Sequence, residues 1–186
     1  MKKFVMAVCI LLIAGSVSAQ SGSPQFGLGL NVGMVYPIVQ DDQDNGSVIG
    51  FKVMYGFSNF IALEPNMSFV KYGDPSISDY PGLFDGLEGS KITSYGVDAV
   101  LGGSFGAGGI NPYGIFGVGF YNSKRDQTDQ DVTDFGWAGG FGIEIGFNSQ
   151  FALDVRGKVN VVPSDGGGSK KSAAASAGLN FYLGSK

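Results

Sequence analysis

Between Asp134 and Val162 the chain alternates bulky and small residues with a period of two. Phe135, Trp137, Phe141, Ile143, Ile145 and Phe147 make one row, broken only by Gly139. Gly136, Ala138, Gly140, Gly142, Glu144 and Gly146 make the other. Asn148, Ser149 and Gln150 turn the chain, and Phe151, Leu153, Val155, Val159 and Val161 resume the apolar row. Ala152, Asp154, Arg156, Lys158 and Asn160 stand between them. A period of two is that of a β-strand, and two strands about a short polar turn form a hairpin. The second face is the constraint. A soluble antiparallel sheet carries many Lys, Glu, Thr and Arg on its wet side. Here that side is largely glycine with a few charges. Such a face suits the crowded interior of a narrow closed barrel, and the bulky face then points outward into lipid.

The same alternation predicts six further strands. Phe26, Leu28, Leu30, Val32, Met34 and Tyr36 oppose Gly27, Gly29, Asn31, Gly33 and Val35, and Pro37 ends the strand. Ile49, Phe51, Val53, Tyr55 and Phe57 oppose Gly50, Lys52, Met54, Gly56 and Ser58. Ile61, Leu63, Met67 and Phe69 oppose Ala62, Glu64, Asn66 and Ser68, with Pro65 on the outer row deleting a ladder hydrogen bond and suggesting a bulge. A fourth strand runs from about Ile92 to Phe105, with Asp98 on its small face. In the fifth, Pro112 to Tyr121, Tyr113 and Ile115 fall out of phase with Phe116, Val118 and Phe120, which predicts a bulge near Gly114. The last strand starts at Ser172, with Ala173, Ala175, Ala177, Leu179, Phe181 and Leu183 outward.

Eight strands of about ten residues fit a tilted crossing of a bilayer, and an even number returns both ends to one side. The connections after strands one, three, five and seven (40–47, 71–91, 122–133 and 163–171) read as long and polar, the others as short turns. Aromatics form two expected belts. Phe26, Phe57, Phe60, Phe105, Tyr113, Phe147, Phe151 and Phe181 lie at the short-turn end, and Tyr36, Phe69, Tyr72, Tyr121, Phe135 and Trp137 at the other. Unpaired backbone is costly in hydrocarbon, so the first and eighth strands must pair and close the sheet. The expected fold is all-β: an eight-stranded antiparallel up-and-down transmembrane barrel with a packed polar lumen.

The N-terminus is read separately. Lys2 and Lys3, the apolar run Phe4 to Ala14 and the small residues Val17-Ser18-Ala19 read as a secretory signal peptide over 1–19, leaving a barrel domain over 20–186. The single cysteine, Cys9, lies in that segment, so the exported chain has no disulfide. Without Lys2 and Lys3, 10 basic residues face 16 acids, a net charge of −6. An acidic chain of this kind is a poor nucleic-acid binder.

Over nearly all of the exported chain the pattern resembles the small eight-stranded outer-membrane barrels, the family of the OmpA barrel, OmpX and Ail. Two local pieces carry the resemblance. Pro112-Tyr113-Gly114-Ile115-Phe116-Gly117-Val118-Gly119-Phe120 is similar to a strand common in these barrels. Ser176-Ala177-Gly178-Leu179-Asn180-Phe181-Tyr182-Leu183 is similar to their C-terminal assembly signal, although Gly184-Ser185-Lys186 follows it where many relatives end on an aromatic. The resemblance implies an outer-membrane location, contact with membrane lipid and lipopolysaccharide, insertion by the barrel-assembly machinery and a monomeric state.

Catalysis has little to work with. Gly102-Gly103-Ser104-Phe105-Gly106 matches the GxSxG string, but no helix follows it and the chain has no histidine to serve as base. Glycine triplets such as Gly27-x-Gly29 sit on strands rather than before helices, which does not support a nucleotide site. No cofactor or metal is expected. The acidic stretches Asp41 to Asp44 and Asp126 to Asp134 lack EF-hand spacing and read as solvated loops. Pro81, Leu83, Phe84 and Leu87 put apolar groups in the longest loop, fit for partner contact or for covering the barrel mouth. Lys52, Glu64, Asp98, Glu144, Asp154, Arg156 and Lys158 all fall on inward rows, and are expected to pair within the lumen because an unpaired buried charge is costly. The role expected is structural, or surface interaction through external loops. A small porin-like channel and a soluble lipocalin-like binder are the alternatives.

Overall fold

The computed structural model describes residues 25–38, 44–58, 60–73, 89–102, 108–125, 130–163 and 168–183. The expected signal peptide, most of Asp41 to Asp44, the Pro81 to Leu87 segment, the core of the GxSxG string and residues 126–129 lie outside them. Eight strands follow one another in order: β1 (Gln25–Pro37), β2 (Gly46–Gly56), β3 (Ile61–Lys71), β4 (Lys91–Leu101), β5 (Gly109–Arg125), β6 (Gln130–Gly146), β7 (Phe151–Pro163) and β8 (Ser169–Leu183). Each pairs antiparallel with its sequence neighbour, and β1 pairs with β8 to close the barrel.

The register fixes the shape. Directly paired partners lead from Gln25 to Gly56, Ala62, Val100, Ile115, Gly140, Lys158, Ala174 and then back to β1 at Val35, ten residues beyond the start. A shear of that size across eight strands tilts them by about 40° and sets a backbone radius of about 8 Å, a lumen that side chains can fill. At the closing seam the space is smaller still. A Cβ on Gly33 would overlap the Ala175 carbonyl oxygen, and one on Gly178 the Leu30 carbonyl oxygen, so both positions require glycine.

The two faces divide as the alternation predicts. Phe141 (74%), Ile143 (43%) and Val155 (46%) are outward and exposed, while Glu144 (2%) and Arg156 (8%) are buried inside. Leu28, Leu30, Val32, Met34, Phe51 and Phe116 add to the outer apolar band. This excludes the lipocalin arrangement, in which those bulky rows would line the cavity.

Four details differ from the sequence reading. The β5–β6 register is constant across Gly114, and the β4–β5 register is constant up to it, so no bulge is present and Tyr113 and Ile115 point into the lumen in phase with Gly117 and Gly119. Pro65 makes no bulge either. The β2–β3 register is the same on both sides of it, but the Val53–Pro65 and Met54–Glu64 pairings are missing, a gap rather than an insertion. β4 ends at Leu101, Val100 fills the lumen, and the expected extension from Gly103 to Phe105 lies outside the described residues. Finally, β5 and β6 are 17 residues each and run through most of the expected loop 122–133. The long-loop end is thus distinguished by the 72–90 connection and by this tall hairpin, not by uniformly long loops.

The belts also thin. Phe57, Phe60, Phe147 and Phe151 remain exposed at one end, and Tyr36, Phe69, Phe135 and Trp137 at the other. Tyr113 and Tyr72, expected there, are buried (7% and 6%), and the Tyr121 hydroxyl bonds within the barrel.

Candidate functional site: an ion-paired layer across the lumen

The barrel wall places like charges side by side. Glu64 of β3 is directly opposite Asp98 of β4, and Glu144 of β6 is directly opposite Asp154 of β7. Two carboxylates facing each other across a ladder repel. Cations arriving from elsewhere on the wall offset this. Arg156 places Nη1 2.8 Å from Glu64 Oε2 and Nη2 2.6 Å from Asp154 Oδ2, and its Nε donates to the same Asp154 oxygen at 2.9 Å. Lys52 Nζ lies 2.5 Å from Asp154 Oδ2 and 3.6 Å from Glu64 Oε1. Lys158 Nζ donates to both oxygens of Asp98, at 2.8 and 2.7 Å. The Arg156 and Lys52 links tie β2, β3 and β7 together through the middle of the barrel, and the Lys158 link joins β4 to β7.

The seven charges expected on inward rows therefore all occupy the lumen. Glu144 accepts from Asn180 Nδ2 at 2.6 Å and from the Tyr182 hydroxyl. Tyr113 donates to Asp154 and lies under Arg156, whose guanidinium carbon is 5.5 Å from the ring centroid. Tyr113, Asn180 and Tyr182 complete the layer and are not among the inward charges expected to form it. The inward phase of Asn180 and Tyr182 is readable, since they alternate with Leu179, Phe181 and Leu183. The Tyr113 phase was hidden by the bulge inferred at Gly114. Asn180 Oδ1 is buried with no hydrogen-bond partner among the described residues.

Glycines make the room for this layer. Gly117 is the partner of Asp98, Gly142 of Tyr113 and Gly29 of both Lys52 and Asn180. A Cβ on Gly117 would overlap Asp98 Oδ1, one on Gly142 the Tyr113 hydroxyl end, and one on Gly29 would sit 2.7 Å from Asn180 Oδ1. The glycine face is thus the complement of the long polar side chains on adjacent strands.

Below the ion pairs, toward the short turns, Met54, Ala62, Val100, Tyr113, Ile115, Ala152 and Tyr182 pack as a buried apolar cluster. Above them the lining is small and polar. Ser68 bonds Ser94 at 2.6 Å, Asn31 bonds Ser176 at 3.4 Å and Tyr121 bonds Asn160 at 3.1 Å. Val35, Val48, Tyr72 and Val162 are buried nearer the outer rim. Among the described residues no cluster of His, Cys, Asp or Glu could hold a metal ion.

The comparisons agree with this architecture. A family model described as the outer membrane protein beta-barrel domain matches residues 7–181. The crystal structure of Neisserial surface protein A superposes with a TM-score of 0.66 at 13% identity, covering 86% of this chain and 97% of that one. OprG from Pseudomonas aeruginosa gives 0.56 at 14%, over 88% and 98%. Ail, the attachment invasion locus protein of Yersinia pestis, gives 0.53 at 15%, over 88% and 100%. No curated protein matches the sequence. At these identities the structures speak for the fold. The family model speaks for descent, and the chain belongs to the outer membrane protein β-barrel domain family.

Proposed function

We propose that this outer-membrane barrel neither conducts nor catalyses, and that it acts as a structural and surface-interaction protein through its outward segments. The observation that carries the reading is the lumen. Lys52, Glu64, Asp154 and Arg156 meet across it with side chains at most 7% exposed, above a buried apolar cluster. A pore of this radius has no second path around them. The absence of histidine removes the commonest general base. The tall β5–β6 hairpin is then a part that meets the outside. Two of the similar barrels are named as a surface protein and an attachment protein, which fits a role of this kind. We further infer that the exported chain begins after Ala19, is inserted by the barrel-assembly machinery and works as a monomer.

A small solute channel is the second reading. One observation favours it: the Lys158 side chain retains 20% exposure inside the barrel. Planar-bilayer recording decides between them. The barrel is expected to give no discrete conductance steps, and reproducible unitary steps from the purified protein would overturn the closed-lumen reading.

A further inference from the structure

Above the ion pairs the inward rows keep accessible surface that the lower lumen lacks. Met54, Ala62, Val100 and Ala152, in the lower cluster, are at most 2% exposed. An inward position thus gains almost nothing from the outer face of its strand. Asn31, Asn66, Ser68, Ser94, Asn160 and Ser176 lie on the same inward rows, yet all are half-buried. The Lys158 side chain keeps 20%. Their accessible surface faces space inside the barrel.

The side chains explain why space is left. In the ion-paired layer they reach across the axis, as Arg156 of β7 does to Glu64 of β3. Higher up they lie along the wall over glycines. A Cβ on Gly50 would sit 2.7 Å from Asn31 Oδ1, one on Gly96 3.6 Å from Asn66 Oδ1, and one on Gly136 2.9 Å from a Tyr121 ring carbon. With glycine, alanine and serine between them, a backbone radius of about 8 Å leaves a bore of roughly 8 Å. The ion-paired layer is its floor.

The lining selects an occupant. Its charges, Lys158 and Asp98, are bonded to each other, so no excess of one sign draws in an ion. The amides are only partly used. Asn160 Oδ1 accepts from Tyr121, Asn31 Nδ2 donates to Ser176, and Asn66 Nδ2 donates to the Glu64 carbonyl oxygen at 3.0 Å. Among the described residues nothing else bonds Asn160 Nδ2, Asn31 Oδ1 or Asn66 Oδ1. Neutral donors and acceptors therefore look into the bore from β1, β3 and β7. An apolar occupant would leave them without a hydrogen bond, which is costly. A hydroxyl both donates and accepts, so it can meet either kind.

We propose that the upper lumen is a binding cup for a small neutral polyhydroxyl solute of monosaccharide size, entering from the long-loop end. The cup adds a ligand to a barrel whose other contacts are made by its outward segments. It does not depend on a sealed floor. Conductance steps would refute the closed lumen and leave the cup standing.

The test uses the full exported chain, isotope-labelled on asparagine, in phosphatidylcholine nanodiscs. Side-chain amide signals are followed by NMR during titration with D-glucose and, separately, with potassium chloride. Glucose is expected to shift Asn31, Asn66 and Asn160 along one saturating curve, and to leave Asn148, in a short turn, unmoved. Potassium chloride should shift none of them. Ala138→Phe or Ser94→Phe, each placing a ring in the bore, should abolish the glucose shifts in barrels that still run as folded on electrophoresis. Asn66→Ala and Asn160→Ala only shorten the lining, and each should weaken the titration several-fold even if the filled variants do not fold. Shifts that never saturate, that Asn148 shares, that potassium chloride reproduces or that survive these substitutions would overturn the proposal. So would the absence of any shift at molar glucose, which would leave a bore that holds water only.

Discussion

Arg156 is the residue on which most of the lumen converges, since it alone touches Glu64, Asp154 and the Tyr113 ring. Replacing it with Ala leaves two buried carboxylates sharing Lys52. Removing one partner of a buried pair costs about 3–5 kcal/mol, so Arg156→Ala should unfold at clearly lower temperature or denaturant concentration. Unchanged unfolding would show that the pairing contributes nothing. Gly117 makes the complementary prediction. Its missing side chain is the space that Asp98 occupies on the way to Lys158. Gly117→Ala should destabilise the barrel, and the loss should shrink in an Asp98→Ala background, because neighbours that share one space are not additive. Equal losses in both backgrounds would contradict this. The inward direction of Glu64, Asp98 and Arg156 was legible from parity alone. Their partners were not, because cross-lumen contacts depend on the register around the whole barrel, which no local pattern encodes. The facing of Glu64 by Asp98 and of Glu144 by Asp154 is of that kind.

At the scale of the strand, the alternation was sufficient to locate all eight elements, and it failed where a local irregularity was inferred from one or two residues. By its position at the strand end Tyr113 reads as a belt aromatic, yet its hydroxyl finds Asp154 and its ring lies against Arg156. The upper halves of β5 and β6 read as loop because Asn122, Ser123, Lys124, Asp131 and Thr133 are polar. A hairpin that rises beyond the bilayer has no need of an apolar row, and cross-strand polar pairs such as Asn122–Thr133 (3.0 Å) hold it instead. Pro65 yields a prediction at this scale. The missing β2–β3 pairings sit beside a residue with no N–H to donate. Pro65→Val should supply the donor and raise stability by about 1 kcal/mol in equilibrium unfolding. A loss of stability would mean that the gap follows from the strand path and not from the proline.

For the whole molecule, a narrow barrel, a glycine face and an ion-paired lumen are one arrangement. A shear of ten on eight strands leaves room for a single layer of long side chains, and Lys52, Asp98, Asp154, Arg156 and Lys158 are each met by a glycine on an adjacent strand. The bulky residues, denied the inside, form the outer band. The sequence states that inversion through composition: with 32 glycines and few charges, the inward rows are too small to be a solvated surface. Trp137 offers the most direct measurement of it, because it is the only tryptophan and lies on the outward row, 46% exposed. In vesicles containing brominated phosphatidylcholine its fluorescence should be strongly quenched, while aqueous acrylamide should quench it little. Emission untouched by brominated lipid and readily quenched by acrylamide would contradict a barrel whose bulky face meets the membrane.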